Sequence, residues 1–116
     1  MPSGGEVDGF LPLPASVMHI LVALADGEKH GYAIIKEVSR RTDGKVQLRA
    51  ATLYTAIRRF VDAGLIQESA ERPDPALDDE RRRYYRLTDR GRAVAVAETR
   101  RMAETLAQAR EKLGVL

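Results

Sequence analysis

Apolar positions along the 116-residue chain group into four stretches of helical spacing and two short alternating ones. Val17, Ile20, Leu21 and Leu24 recur three and four apart and so share one helix face; Pro14 suits the first turn of this helix and Asp26-Gly27 its end. Tyr32, Ile34, Ile35 and Val38 predict a second helix that runs to Arg41 and stops at Thr42-Asp43-Gly44. Val46-Gln47-Leu48 is extended. A third helix follows from about Ala50 to Ala63, with Leu53, Ile57, Phe60 and Val61 marking its buried face and Gly64 at its end. Leu65 to Ser69 alternates like a strand, and Arg83 to Leu87 is rich in aromatics that favour one. Between them Pro73, Asp74, Pro75, Asp78 and Asp79 make a turn-rich loop, so the two strands form a hairpin. Tyr84 and Tyr85 alternate across that sheet, which sends one inward and leaves the other exposed.

Thr88 or Asp89 caps a last helix that reaches about Leu113. Along it Ala95, Thr99, Met102, Leu106, Ala109 and Leu113 lie 4, 3, 4, 3 and 4 apart, the 3.5-residue period of a helix packed along a partner helix. Glu98, Arg100, Arg101, Glu104, Arg110, Glu111 and Lys112 fill the outer positions. About 25 residues make ~37 Å of helix, longer than a small head needs. The stripe therefore predicts a homodimer; the competing arrangement folds the helix back onto its own domain. Three helices followed by a hairpin is the element order of a winged helix-turn-helix. The expected fold is mainly α with a small β-hairpin: a flexible N-terminal arm over 1–12, a winged helix-turn-helix over 13–88, and a dimerisation helix over 89–116.

Composition narrows the function classes. At 44% hydrophobic and 31% charged residues the chain is an ordinary globular domain. No apolar run approaches the ~20 residues of a membrane span, and the start lacks the basic-then-apolar pattern of a secretory signal, so a cytoplasmic location is expected. There is no cysteine, which removes disulfides, thiolate zinc sites and Cys nucleophiles together. His19 and His30 have no matched carboxylate pair nearby, so no metal site is expected. Nothing groups a nucleophile with a base and an oxyanion site, and Gly-rich phosphate loops are missing, so neither an enzyme nor a cofactor is expected.

Net charge is only +2, but its distribution is uneven. Residues 44–63 carry four basic and one acidic residue, 64–80 one basic and six acidic, and 81–92 six basic and one acidic. Two positive blocks can be brought side by side while the acidic block faces away. On the third helix Thr52, Tyr54, Thr55, Arg58 and Arg59 point away from the apolar face, and no acidic residue interrupts Lys45 to Arg59. Hydroxyls, a phenol and guanidinium groups in this arrangement suit nucleic acid, since Arg forks onto phosphate or a guanine edge and Thr and Tyr bind phosphate oxygens. Thr52, Tyr54, Thr55 and Arg58 are the candidates for base edges, with Arg58 and Tyr54 foremost because they lie one turn apart and reach far. The other reading of Tyr54 packs it against the wing. Lys45 and Arg49 precede the helix and suit the DNA backbone. Arg82 and Arg83 on the wing suit phosphates beside or within the minor groove, or else pair with Asp78, Asp79 and Glu80.

Gly31-Tyr32-Ala33-Ile34-Ile35, Ala51-Thr52-Leu53-Tyr54, Ala63-Gly64-Leu65-Ile66 and the run from Arg82 to Gly91 resemble, in order and spacing, the PadR family of bacterial transcriptional regulators. The resemblance extends from about Leu13 to Leu113. It implies a winged helix-turn-helix head, a single C-terminal helix for dimerisation, and repression of nearby genes, often relieved by a small aromatic or otherwise hydrophobic effector. It also places Tyr32 close to DNA, where core packing is the competing role. The family pattern often has Ser, Pro and Gly where Arg49, Ala50 and Ala51 stand, and Pro in place of Thr55. Without that serine an obvious N-cap is missing, and Arg49 offers a phosphate contact instead. An effector pocket between the last and first helices is expected to be lined by Val17, Leu21, Met102 and Leu106, residues that serve equally as core and, with Ala109 and Leu113, as dimer seam. The partners expected are double-stranded DNA at a pseudo-palindromic site and a second copy of the chain. The alternative is a winged-helix protein-interaction module whose basic face meets an acidic protein.

Overall fold

In a computed structural model, residues 7–69 and 83–116 are described. Among the described residues the main elements are α1 (Ala15–Ala23), β1 (Lys29–His30), α2 (Gly31–Arg41), α3 (Ala50–Asp62), β2 (Ile66–Glu68), β3 (Tyr84–Leu87) and α4 (Asp89–Leu113). The sheet is antiparallel with order β1-β3-β2, which puts the last strand in the middle. It is a small wing sheet on a mainly helical head.

The first three helices each bury an apolar face. Ile20 and Leu21 of α1, Ile34 and Val38 of α2, and Leu53, Ile57 and Phe60 of α3 meet in one core with Leu65, Ile66, Tyr85 and Val94. Two assignments within these faces shift. Val61 is 37% exposed, because the core-facing arc of α3 is centred on Leu53 and Ile57 and position 61 falls at its edge. Tyr32 is 56% exposed, since Ile34 and Val38 set the buried side of α2. Tyr85 is the tyrosine that turns inward, and Tyr84 is half-buried with its ring edge-on to His30 at 5.5 Å.

The expected hairpin is instead three-stranded. Lys29 and His30 pair with Tyr85 and Tyr84, so the segment before α2 adds an edge strand to the wing. Two residues are too few for an alternating pattern to register, which is why the sequence shows no strand there. His30 also caps α2, its Nδ1 accepting from the Ala33 N–H at 3.1 Å.

Residues 7–12, expected to belong to a flexible arm, lie on the core: Val7 is buried, and Phe10 and Leu11 pack against it. Residues 1–6 of that arm lie outside the described residues. The N-terminal half of α4 likewise belongs to the head. Thr88 caps it by accepting from the Gly91 N–H at 2.9 Å, Val94 is buried, and a Cβ on Gly91 would overlap the Leu65 carbonyl oxygen. Glu98, expected on the outer face, is 1% exposed. Its carboxylate accepts from the Leu13 N–H at 2.8 Å and pairs with Arg101. A period-based reading misplaces it because the chain before α1 crosses α4 at that point. Beyond it, every residue but Ala109 is exposed.

Candidate nucleic-acid interface

α3 presents Thr52, Thr55 and Arg58 on the side turned away from the core, all three exposed. It begins with no side-chain cap at Arg49, as the missing serine implied, which leaves the first N–H groups of the helix available to an anion. Arg49 and Lys45 are exposed beside that end. Their loop is held by Thr42, whose Oγ1 donates to the Val38 carbonyl at 2.8 Å and accepts from the Val46 N–H at 3.0 Å. A turn fixed in this way sets where Lys45 and Arg49 stand relative to α3.

Tyr54 packs between the two helices α2 and α3. It is half-buried, and its ring lies over Gly31 so closely that a Cβ there would overlap the phenol. Glycine at 31 is thus what lets α2 and α3 approach, and Tyr54 sits on the α2 flank of α3. Tyr32 stands exposed on α2 with the Lys36 ammonium 5.0 Å from its ring centroid. Lys36 was missed in the sequence, although its spacing of four from Tyr32 on a helix places the two side by side. Tyr32 and Lys36 lie on α2, near the Tyr54 flank of α3, and widen the polar face.

On the wing, Arg83 pairs with Glu68 at 3.6 Å and Arg86 donates to Gln67 Oε1 at 3.0 Å across β2 and β3. The pairing expected for Arg83 was with Asp78, Asp79 and Glu80; those residues and Arg82 lie outside the described residues. Arg83 remains partly exposed, so the Glu68 pair is a surface one, worth little and readily exchanged for a phosphate.

The four residues expected to line an effector pocket stand in different surroundings in the single chain. Val17 lines spaces beside α3, Leu21 is sealed in the core, and Met102 and Leu106 line an open groove along α4 with Thr99, Arg101 and Ala109. Met102, Leu106 and Leu113 are 48, 50 and 74% exposed. Among the described residues no group of acidic or histidine side chains is placed to hold a metal, and no helix is long and apolar enough to cross a membrane.

Comparison with known proteins bears on this arrangement. The family model of the transcriptional regulator PadR-like family matches residues 20–97. The chain is 33% identical over 74 residues to an uncharacterised protein of Lysinibacillus sphaericus, a match over 64% of this chain and 65% of that protein's length. It is 40% identical over 97 residues to the transcriptional regulator Rv3488 of Mycobacterium tuberculosis, over 84% of this chain and 81% of that one. A solved transcriptional regulator from Clostridium thermocellum shares the fold with a TM-score of 0.70 at 24% identity, over 96% of this chain and 97% of that chain. Bacillus subtilis PadR, solved in complex with operator DNA, shares it with a TM-score of 0.62 at 21% identity, over 72% of this chain and 47% of that chain. The matched family and the mycobacterial relative are transcriptional regulators and not enzymes.

Proposed function

The chain belongs to the PadR-like family of transcriptional regulators, and from that premise we propose that it is a homodimeric repressor that reads a pseudo-palindromic operator. The observation that carries the proposal is the exposed, uncapped N-terminal half of α3, bearing Thr52 and Thr55 beside Lys45 and Arg49, with Arg58 one turn further along the same helix. In a helix-turn-helix reader that half enters the major groove. Arg58 is assigned to a base edge, Thr52 and Thr55 to bases or phosphate, and Lys45, Arg49, Tyr32, Arg82 and Arg83 to the backbone. Tyr54 contributes by holding α2 against α3, with its phenol at the edge of the same surface. The operator complex of the Bacillus subtilis neighbour supports DNA as the partner.

The seam of the dimer is the α4 stripe of Met102, Leu106, Ala109 and Leu113, while Val17 and Leu21 serve the core rather than the seam. Release by a small hydrophobic or aromatic effector belongs to the same reading. Footprinting on DNA upstream of the protein's own gene tests the whole. Protection of two half-sites about one turn, ~34 Å, apart is expected. Equal affinity for that fragment and for random duplex at moderate salt would refute sequence-specific reading.

A further inference from the structure

The groove along α4 has Met102, Leu106 and Ala109 as its apolar lining, and Arg101 is the one charged residue among those that line it. A cation beside an apolar stripe opposes closure against a second copy, because symmetry brings the same charge into the seam twice and strips water from it. Arg101 does not meet that situation alone. Glu98, one turn earlier, is the one buried charged side chain among the described residues. Its Oε1 accepts from Arg101 Nε and its Oε2 from Arg101 Nη2 at 3.2 Å, so a partly exposed guanidinium is forked onto a buried carboxylate and drawn back toward the head. Oε2 also accepts from the Leu13 N–H at 2.8 Å, which anchors the carboxylate from the head side.

We propose that Glu98 is a positioning residue for self-association: it holds the Arg101 guanidinium neutralised at the rim of the groove, which leaves Met102, Leu106 and Ala109 open to a second copy. The inference rests on the homodimer reading given above and names what sets the strength of its seam. A role confined to anchoring Leu13 would connect Glu98 to the stability of the head but not to the charge at position 101. The two roles therefore separate when position 101 is changed together with position 98.

The test is sedimentation equilibrium of the full chain at neutral pH over a range of concentrations, with circular dichroism to confirm that each variant is folded. Glu98→Gln keeps an acceptor for the Leu13 N–H but leaves Arg101 uncompensated, and the dimer should weaken about tenfold, since each of two copies loses one partly exposed ion pair. Adding Arg101→Gln to Glu98→Gln should restore the affinity to within about threefold of the wild type. Arg101→Lys alone, an exposed change, keeps the charge but cannot fork across both carboxylate oxygens, and should weaken the dimer about threefold where Arg101→Gln alone does not. A dimer equally tight in the wild type and in Glu98→Gln, or a double variant no tighter than Glu98→Gln, would overturn the positioning role and leave the homodimer reading standing. Should Glu98→Gln not fold, an Arg101→Lys dimer as tight as that of Arg101→Gln overturns it in the same way. A wild-type chain that stays monomeric at every concentration would refute the homodimer reading and this role with it.

Discussion

Gly91 of α4 lies against the Leu65 carbonyl and Leu87 of β3, and it sets two effects of opposite sign against each other. Alanine improves helix propensity by roughly 1 kcal/mol. Its Cβ, however, would overlap the Leu65 carbonyl oxygen and crowd Leu87, an overpacking of about 1–3 kcal/mol against backbone that cannot rotate away. Gly91→Ala should therefore lower the melting temperature, and an unchanged or raised value would show that the backbone yields. At Glu98 the same scale of reasoning gives a pH dependence. The Arg101 guanidinium, and then the Leu13 N–H, hold its carboxyl below the ordinary glutamate value against the opposing effect of burial. A lowered folded value means the stabilisation is complete above the unfolded value of ~4.3 and is lost as pH falls through the folded one. Urea unfolding of Glu98→Gln should therefore lie closest to the wild type in acid and furthest below it at neutral pH. Glu98→Ala should be worse at every pH, because it orphans the buried Leu13 N–H at about 1–3 kcal/mol.

At the scale of elements, α4 divides between two environments. Its first turns lie in the head core, and from Thr99 onward its apolar stripe faces solvent in a single chain. Leu106→Glu places a charge in the centre of the proposed seam; light scattering should report a dimer for the wild type and a monomer for the variant, with the head still folded. The spacing of Met102, Leu106, Ala109 and Leu113 made this stripe legible in the sequence, as the spacing of Leu53, Ile57 and Phe60 made α3 legible, because long periodic patterns encode a face. Glu98 was not legible, since what buries it is Leu13, a residue 85 positions away. β1 was not legible either, because a two-residue edge strand owes its existence to β3. Of the interface, the α3 face could be read from residue type and spacing, whereas the packing of Tyr54 over Gly31 depends on how closely two helices approach, which no local pattern states.

For the whole molecule, electrostatics sets how the proposed complex responds to its surroundings. A net charge of +2 gives little long-range attraction, so binding would depend on local contacts from the α3 and wing blocks. Each phosphate neutralised steepens the log–log salt dependence by about 0.9. Lys45→Ala should flatten that slope by about this amount while weakening all sequences alike, and Arg58→Ala should cost about 1–3 kcal/mol and relax discrimination at one base pair. If the two variants behave identically in filter binding against specific and random duplex, the division of labour between backbone and base contacts is wrong.

Because α4 runs unbroken from the Gly91 contact to Leu113, in the proposed dimer a rigid rod would gear the orientation of each head to the seam. One alanine inserted after Arg101 turns Met102 and everything beyond it by about 100° and advances it 1.5 Å, which spoils both seam and alignment. Seven inserted residues restore the phase to within ~20° while lengthening each arm by ~10 Å. Selection from randomised operators should then recover half-sites at a new separation, making helix length a ruler for the DNA the protein selects.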